Sequence, residues 1–505
     1  MGRFWKIIVS LFLSPYIVGH LGVERYGLWA IVSVLTTYFS FLDMGVGTGF
    51  TKFVAEYFAK RDNEKINQVI NTGLFFYCFS GLLVLLAGLL SAEWLLSFFN
   101  ISDEFYEEAL FVVRIGFLNY VLLTSFRVFT DAFSGLQRMD ITNKIHIGVT
   151  IPSVFGIIFS LERGYGLKGL LINELFISIL TTAITVIILF RILPVMKIRL
   201  SSINRLMFKT LFHYGINIQA NRLGSTINFQ LDKFILAHFL DFSSVAFYHL
   251  GSRIAYILRS FPEMMLSAVI PAASELHAEQ KTEKIYQLFL RSSKYLVLLT
   301  IPLTAFFVMN AHLVMNAWMG RGFEKSAWVL QILSIGFFAN ISLGAAAPII
   351  LGMGRPEIQR NTALLSTILN LTFSVLLVKK YGFLGAPIGT SLAMIIAILY
   401  FVTTFHKIVR KSLFEYAKKI FLLPAIALLV SSLISVIMKH FWISFFIPSD
   451  RLSSLLSLAI HGIILVSVYC TVILLTNYID AYDRNLAIRY LPFFERFLSY
   501  QPHGS

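Results

Sequence analysis

Long apolar stretches recur along the chain and are separated by short polar segments. A helix needs about 20 apolar residues to cross a bilayer core, and helices satisfy their backbone polar groups within the segment. The apolar runs are continuous and do not alternate as barrel strands would. The pattern predicts an all-α polytopic membrane protein with about 14 transmembrane helices. The predicted spans are 4–19, 27–50, 68–90, 109–131, 145–161, 169–190, 210–230, 244–270, 295–317, 327–351, 361–378, 383–405, 420–437 and 453–475.

Three short sequence matches recur in the same order, at offsets of 219, 217 and 216 residues. They pair residues 64–68 with 283–287, 135–141 with 352–358, and 165–169 with 381–385. Each repeat holds six spans, so both repeats enter the membrane from the same side. Parallel repeats of this kind build transporters with a central cavity, although a duplication could also serve stability alone. We predict an N-terminal six-helix bundle (1–206), a C-terminal six-helix bundle (207–412), and two additional helices with a cytoplasmic tail (413–505).

The charge distribution predicts which side of the membrane each loop faces. Charged residues are only 14% of the chain, against about 25% in soluble proteins, and the formal net charge is +15. With the N-terminus inside, 27 of the 42 Lys and Arg residues fall in inside segments and 10 in outside loops. This asymmetry follows the positive-inside rule and predicts N-in, C-in topology. The basic excess therefore indicates a membrane protein and no nucleic-acid partner.

The residue types needed for cofactor chemistry are not arranged in the usual spacings. Cys78 and Cys470 both fall in apolar spans and have no metal-site spacing. No phosphate-binding glycine loop is present, so the sequence predicts no ATPase site. We expect no metal and no bound cofactor, although coupling to H⁺ or Na⁺ is compatible with the sequence.

The predicted span 210–230 and the residues just after it carry two polar rows at helical spacing. The first row begins with Asn217 and Asn221 and reaches Asp232, and the second begins with Gln219 and Arg222. Two neighbouring polar rows make a face that lipid cannot cover, so the face lines a water-filled cavity or joins an interhelical hydrogen-bond network.

The five basic residues inside spans are all arginines: Arg114, Arg127, Arg222, Arg253 and Arg259. Arg222 and Arg253 lie near the middle of neighbouring antiparallel spans, which predicts a shared cationic site. Arg127 precedes Asp131 by four residues, so a local ion pair is the expected role there. Arg114 lies near the end of its span and can reach the interface.

Acidic residues in or beside the spans are candidates for ion coupling. Asp43 lies in the inner third of the predicted span 27–50, Glu174 lies in 169–190, and Asp232 ends the first polar row. Intramembrane carboxylates often serve as protonation or cation sites in transporters. Asp43 could equally support close packing around Gly45 and Gly49.

Several short motifs resemble a known family. Residues 21–29 read LGVERYGLW, 42–45 LDMG, 135–138 GLQR, 232–233 DK and 381–386 YGFLGA. Together with the plan of six, six and two helices, they resemble bacterial polysaccharide, or O-antigen, flippases of the multidrug/oligosaccharidyl-lipid/polysaccharide exporter superfamily. The resemblance covers residues 5 to about 405. It implies two six-helix bundles around a central cavity, alternating access, and an undecaprenyl-diphosphate-linked oligosaccharide as substrate.

The resemblance sets the expected site and partners. Substrate binding would involve Arg222, Arg253, Asn217, Asn221 and Gln219, since guanidinium groups match phosphate oxygens geometrically. We expect a multi-pass transporter of the bacterial cytoplasmic membrane, not an enzyme. Its expected partners are membrane lipid and the lipid-linked oligosaccharide, with the polysaccharide polymerase and glycosyltransferases as further candidates. The alternatives are a multidrug exporter of the same superfamily, a membrane-embedded glycosyltransferase or ligase, and a non-transporting scaffold.

Overall fold

The computed structural model describes residues 2–39, 46–99, 101, 103–266, 269–443, 451–476 and 478–490. The side chains of 216–229 lie outside what it describes. In the described ranges the regular structure is helical, without strands. The helices are α1 (Gly2–Leu21), α2 (Val23–Phe39), α3 (Val46–Ala59), α4 (Asn63–Phe98), α5 (Asp103–Ser125), α6 (Arg127–Gly135), α7 (Met139–Glu162), α8 (Gly166–Ile192), α9 (Arg205–Phe239), α10 (Phe242–Leu266), α11 (Val269–Ala278), α12 (Thr282–Met319), α13 (Glu324–Leu343), α14 (Ala346–Gly352), α15 (Pro356–Tyr381), α16 (Gly385–Val409), α17 (Leu413–Ile443), α18 (Arg451–Leu475) and α19 (Ala481–Tyr490).

The predicted fold class is confirmed. Each of the fourteen predicted spans falls on these helices, and four spans are covered by two consecutive helices each. Nine helical segments of the described ranges are long and apolar enough to cross a membrane, and one of them, 356–409, contains two predicted spans. Helix α9 is not among the nine, because its predicted polar rows lower its hydropathy.

The backbone carries the same duplication as the sequence. The turn before α4 places Arg61 at φ 56°, and the turn before α12 places Gln280 at φ 57°. The turn before α7 places Gln137 at φ 58°, and the turn before α15 places Gly354 at φ 72°. The offsets are 219 and 217 residues, which are those of the sequence matches. Left-handed turns are uncommon for residues other than glycine, so their recurrence reflects a repeated local fold.

A close helix contact is also repeated. A Cβ built on Gly135 of α6 would lie 2.8 Å from the Cβ of Val54 in α3. A Cβ built on Gly352 of α14 would lie 2.7 Å from the Cβ of Ala273 in α11. Such distances leave no room for a side chain, so glycine is required where these helices cross. In each repeat a short helix (α6 or α14) therefore packs closely on the helix three places earlier in the chain (α3 or α11).

The chain gathers into two compact units. The first unit comprises Met1–Leu250 and Ala363–Thr390, and its core packs the aromatic rings of α3, α4 and α6. The second comprises Gly251–Thr362 and Ser391–Ser505. Its buried Phe289 packs against Phe405 at 4.6 Å and Tyr416 at 4.8 Å between ring centroids. The predicted bundle boundaries at 206 and 412 stay predictions.

Two asparagines of α4 hold the segment that leads into α9. Asn67 accepts a hydrogen bond from Lys197 N at 2.6 Å and donates to Val195 O at 2.9 Å. Asn71, which is buried, accepts from Arg199 N at 2.8 Å and donates to Lys197 O at 2.8 Å. The segment has few helical hydrogen bonds of its own, so these side chains satisfy its backbone groups. They thereby anchor residues 195–199, six residues before α9 begins.

Candidate functional site

A fully buried carboxylate lies in the first unit. Asp232 of α9 accepts hydrogen bonds from the hydroxyls of Tyr248 in α10, Ser374 in α15 and Thr390 in α16. The distance from Ser374 Oγ to Asp232 Oδ1 is 2.9 Å. Asn370 Oδ1 completes the group, at 2.8 Å from Ser374 Oγ and 3.1 Å from Thr390 Oγ1. We call these five residues the Asp232 cage.

The local sequence explains how the cage assembles. Asn370 and Ser374 are four residues apart on α15 and therefore share one face of that helix. A Cβ on Gly389 would lie 2.6 Å from the backbone nitrogen of Ser374, and one on Gly385 only 2.3 Å from Leu377 O. The two glycines let the backbones of α15 and α16 approach closely. This approach brings Thr390, the residue after Gly389, within reach of Asp232.

With the amide oxygen of Asn370 facing Ser374 and Thr390, the cage contains more acceptor contacts than its hydroxyls can serve, and with the amide reversed only the carboxylate charge is left to balance. Five close oxygen–oxygen approaches join its residues, while Tyr248, Ser374 and Thr390 supply one hydroxyl hydrogen each. A buried negative charge is costly in a low-dielectric interior unless it is compensated. A proton on Asp232 or a small cation among the oxygens would balance the group, and hard cations favour an all-oxygen set.

Lys233 provides a positive charge beside the cage. The side chain is buried, 7% exposed, and its Nζ donates to Gln230 Oε1 over 3.0 Å. Lys233 and Asp232 are consecutive on α9 and point to different sides of the helix. The ammonium group therefore tunes the field at Asp232 while the hydroxyls make the direct contacts.

Glu174, the second carboxylate predicted for coupling, lines a separate cavity of the first unit. The cavity measures about 350 Å³ and lies between α2, α5 and α8. Trp29, Asn119 and Arg127 also line it. The arrangement places a carboxylate and a guanidinium around one polar space, which suits water or a polar ligand.

Arg127 and Arg114 form ion pairs in the structure, and the first of these pairs was predicted. Arg127 Nε lies 3.5 Å from Asp131 Oδ2, which confirms the pair expected from their spacing. Arg114 Nη2 lies 3.7 Å from Glu93 Oε1, at the end of α4. The head of Arg114 thus reaches an acidic partner, as a long side chain near the end of a predicted span can.

The remaining predicted site residues stay predictions. Asp43 lies outside the described residues. Helix α9 carries Asn217, Gln219, Asn221 and Arg222, but their side chains lie outside the described part of the chain. Arg253 is partly buried in α10. The binding of a diphosphate by Arg222 and Arg253 is therefore a prediction that rests on their sequence positions.

Sequence reasoning found Asp232 but missed its four partners. Taken singly, Asn370 only matches a glycosylation sequon, and Tyr248, Ser374 and Thr390 are ordinary residues of apolar helices. Their common role depends on contacts between residues 16 to 158 positions apart in the chain. The usable signal is Asn370 and Ser374 four residues apart within an apolar span.

Comparison with known proteins identifies sequence relatives. Residues 1–277 match the family described as polysaccharide biosynthesis protein. A candidate O-antigen transporter of Shigella flexneri is 23% identical over 390 residues, which cover 74% of this chain and 88% of that protein. A candidate low-salt glycan biosynthesis flippase of Haloferax volcanii is 24% identical over 190 residues, 37% of this chain and 39% of that protein.

Two solved structures share the fold. A lipid II flippase, MurJ, in an inward closed conformation superposes with a TM-score of 0.73 at 15% identity, covering 96% of this chain and 98% of that one. An inward-facing multidrug resistance transporter of the MATE family and MOP superfamily gives a TM-score of 0.70 at 16% identity, over 79% of this chain and 94% of that one. At these identities the similarity establishes the architecture.

Proposed function

Since the chain belongs to the polysaccharide biosynthesis protein family, we propose that it flips an undecaprenyl-diphosphate-linked oligosaccharide across the bacterial cytoplasmic membrane. The expected resemblance to polysaccharide flippases is confirmed at the level of the family. Relatives named as an O-antigen transporter and a glycan flippase support a transporter rather than an enzyme. The product would serve the polymerase and glycosyltransferases of cell-surface polysaccharide synthesis.

The polar rows of α9 support a route for the charged head group. A diphosphate and a sugar chain cannot cross a lipid core without polar contacts, since buried charges and hydroxyls must be satisfied. Arg222 and Arg253 would hold the diphosphate, with Asn217, Gln219 and Asn221 on the sugar or phosphate oxygens. The lipid tail would remain in the membrane while the head group crosses by alternating access.

The Asp232 cage is the observation that most supports coupling of transport to an ion. Binding of H⁺ or Na⁺ neutralises the buried carboxylate and removes the cost of holding it between α9, α15 and α16. Release restores the charge, which the hydroxyls of Tyr248, Ser374 and Thr390 then stabilise. Occupancy thereby changes the relative free energies of two helix arrangements, which is the requirement for coupling. Asn370 suits both states, because its amide can present oxygen or nitrogen.

Replacing the carboxylate tests this proposal in cells. Asp232→Asn removes the titratable charge at nearly constant volume, so we expect surface polysaccharide to fall at least tenfold while membrane protein abundance stays near wild type. Asp241→Asn is the matched control, because Asp241 is exposed and caps the start of α10 through Ser244 N at 2.6 Å. Export is measured by quantifying surface polysaccharide beside protein level.

The outcomes separate coupling from folding. Wild-type export by Asp232→Asn would remove Asp232 from the mechanism. Loss of the protein itself would assign the cage to folding, and Asp232→Glu should then restore neither abundance nor export. Normal export by Asp241→Asn establishes that the effect belongs to the buried carboxylate.

A further inference from the structure

The second unit contains a basic cavity that the proposed transport mechanism does not use. It measures about 670 Å³ and lies between α12, α17 and the segment that precedes α19. Its charged lining consists of four basic and two acidic residues: Arg291, Lys294, Lys418, Lys419, Glu415 and Asp480. The remaining walls are mainly apolar and aromatic. A cavity with this lining suits an anion that carries an apolar group.

One of the four cations is already neutralised. Lys294 is nearly buried, with a side chain 12% exposed, and forms an ion pair with Asp483 of α19. Asp480 Oδ2 lies 3.7 Å from the same ammonium group. The Tyr295 hydroxyl donates to Asp483 Oδ1 at 2.6 Å. Lys294 therefore joins residues 478–490, here called the tail, to α12 and closes one side of the cavity.

The other three cations are directed at the cavity. The guanidinium of Arg291 lies over the Tyr482 ring, 3.5 Å from its centroid, and its Nη1 is buried with no hydrogen-bond partner among the described residues. Lys418 and Lys419 are exposed, and no described carboxylate forms an ion pair with either. A buried unsatisfied N–H is costly, so an anion that accepts from Arg291 would be stabilised.

The basic residues of the cavity lie at the start of the apolar runs of two helices. Lys418 and Lys419 directly precede the apolar run of α17, and Arg291 and Lys294 precede that of α12. Tyr478 lines the cavity as well, as aromatic residues commonly do at the interface. Leu422, which is 47% exposed, and Leu423 continue the wall towards the membrane core. An anion bound here therefore has an apolar surface beside it, which a free phosphate would leave uncovered.

We propose that this cavity binds the phosphate group of an anionic glycerophospholipid. Arg291, Lys418 and Lys419 would contact the phosphate, and Leu422 and Leu423 would lie along the acyl chains of the lipid. The site is distinct from the Asp232 cage, which belongs to the other unit. Bound lipid would join α12, α17 and the tail, all of which contribute to the lining. The lipid would act as a structural ligand that is retained while the oligosaccharide substrate is exchanged.

Native mass spectrometry of the purified full-length protein tests the assignment. The probes are phosphatidylglycerol, phosphatidylcholine with the same acyl chains, and inorganic pyrophosphate. We expect tight retention of phosphatidylglycerol and at least tenfold weaker retention of phosphatidylcholine. Lys418→Gln/Lys419→Gln should weaken phosphatidylglycerol binding about tenfold, since each cation near an anionic head group contributes a several-fold factor.

A charge-matched variant controls for the general effect of losing two cations. Lys284→Gln/Lys407→Gln removes two exposed lysines of the same unit that do not line the cavity, so binding should remain within twofold of wild type. Equal weakening by both variants, or equal retention of the two phospholipids, would overturn the proposal. Displacement of phosphatidylglycerol by an equal concentration of pyrophosphate would assign the site to free phosphate instead. Thermal unfolding without added lipid should be unchanged in both variants, which excludes misfolding as the cause.

Discussion

At the scale of single residues, Asp232 illustrates what a sequence reveals about a membrane site. A carboxylate at the end of a polar row in an otherwise apolar chain is costly to bury, so its position alone predicts a functional role. The hydroxyls that surround it carry no such cost, because serine, threonine and tyrosine are common in membrane helices. Ser374 and Thr390 therefore become recognisable only once α15 and α16 are packed against α9.

Arg222 is the residue on which the proposed binding of the diphosphate most depends. Arg222→Ala should reduce surface polysaccharide at least tenfold with the protein still accumulating, because a charged hydrogen-bonding partner of the diphosphate is lost. Arg222→Lys keeps the charge without the bidentate geometry, so its export should be intermediate. Arg253→Ala should resemble Arg222→Ala if both arginines hold the same group. Normal export by Arg222→Ala at wild-type abundance would remove this residue from the site.

At the scale of elements, the positions of the helices could be predicted from the sequence, but the close contacts between them could not. Apolar runs fix the spans, because a bilayer demands continuous helices of about 20 residues. Gly135 and Gly352 each approach the backbone of a helix earlier in the chain, a contact that no local pattern encodes. The sequence repeats do mark two turns between spans, since the matched segments coincide with the left-handed turns at Gln137 and Gly354.

Helix α19 is an element whose docking depends on pH. Burial raises the pKa of Asp483, but the hydrogen bonds from Lys294 and Tyr295 lower it by more. The pKa of Asp483 is therefore below its usual value. The undocked state then binds the proton more readily, and docking is fully stable above about pH 4. We expect α19 amides to be protected from hydrogen exchange at pH 7 and to lose protection as the pH falls below 4.

A substitution isolates that contribution. Asp483→Asn should lose amide protection in α19 already at pH 7, whereas Glu415→Gln, which removes an exposed acid of the same unit, should keep it. Protection of Asp483→Asn equal to wild type at pH 7 would show that Tyr478, whose hydroxyl donates to Ile420 O at 2.7 Å, holds the tail without the ion pair.

At the scale of the whole molecule, the distribution of basic residues predicts the orientation of every loop. Cys78 and Cys470 are the two native cysteines, so a background of Cys78→Ser and Cys470→Ser accepts single probes. Ser97→Cys and Ser201→Cys place them at exposed positions of opposite predicted sides. An impermeant maleimide should label the first in intact cells and the second only after lysis. Equal labelling of both in intact cells would refute N-in, C-in topology.

Ion-coupled flipping is the central claim, and transport in proteoliposomes measures it directly. The assay follows a fluorescent undecaprenyl-diphosphate-linked oligosaccharide under an imposed Na⁺ or pH gradient. One gradient should accelerate flipping at least tenfold in the wild type, and neither should do so in Asp232→Asn or Thr390→Val. Thr403→Val is the control, because Thr403 lies thirteen residues after Thr390 on α16 and, among the described residues, its hydroxyl bonds only Tyr400 O. Equal flipping by wild type and Asp232→Asn under both gradients would contradict the account.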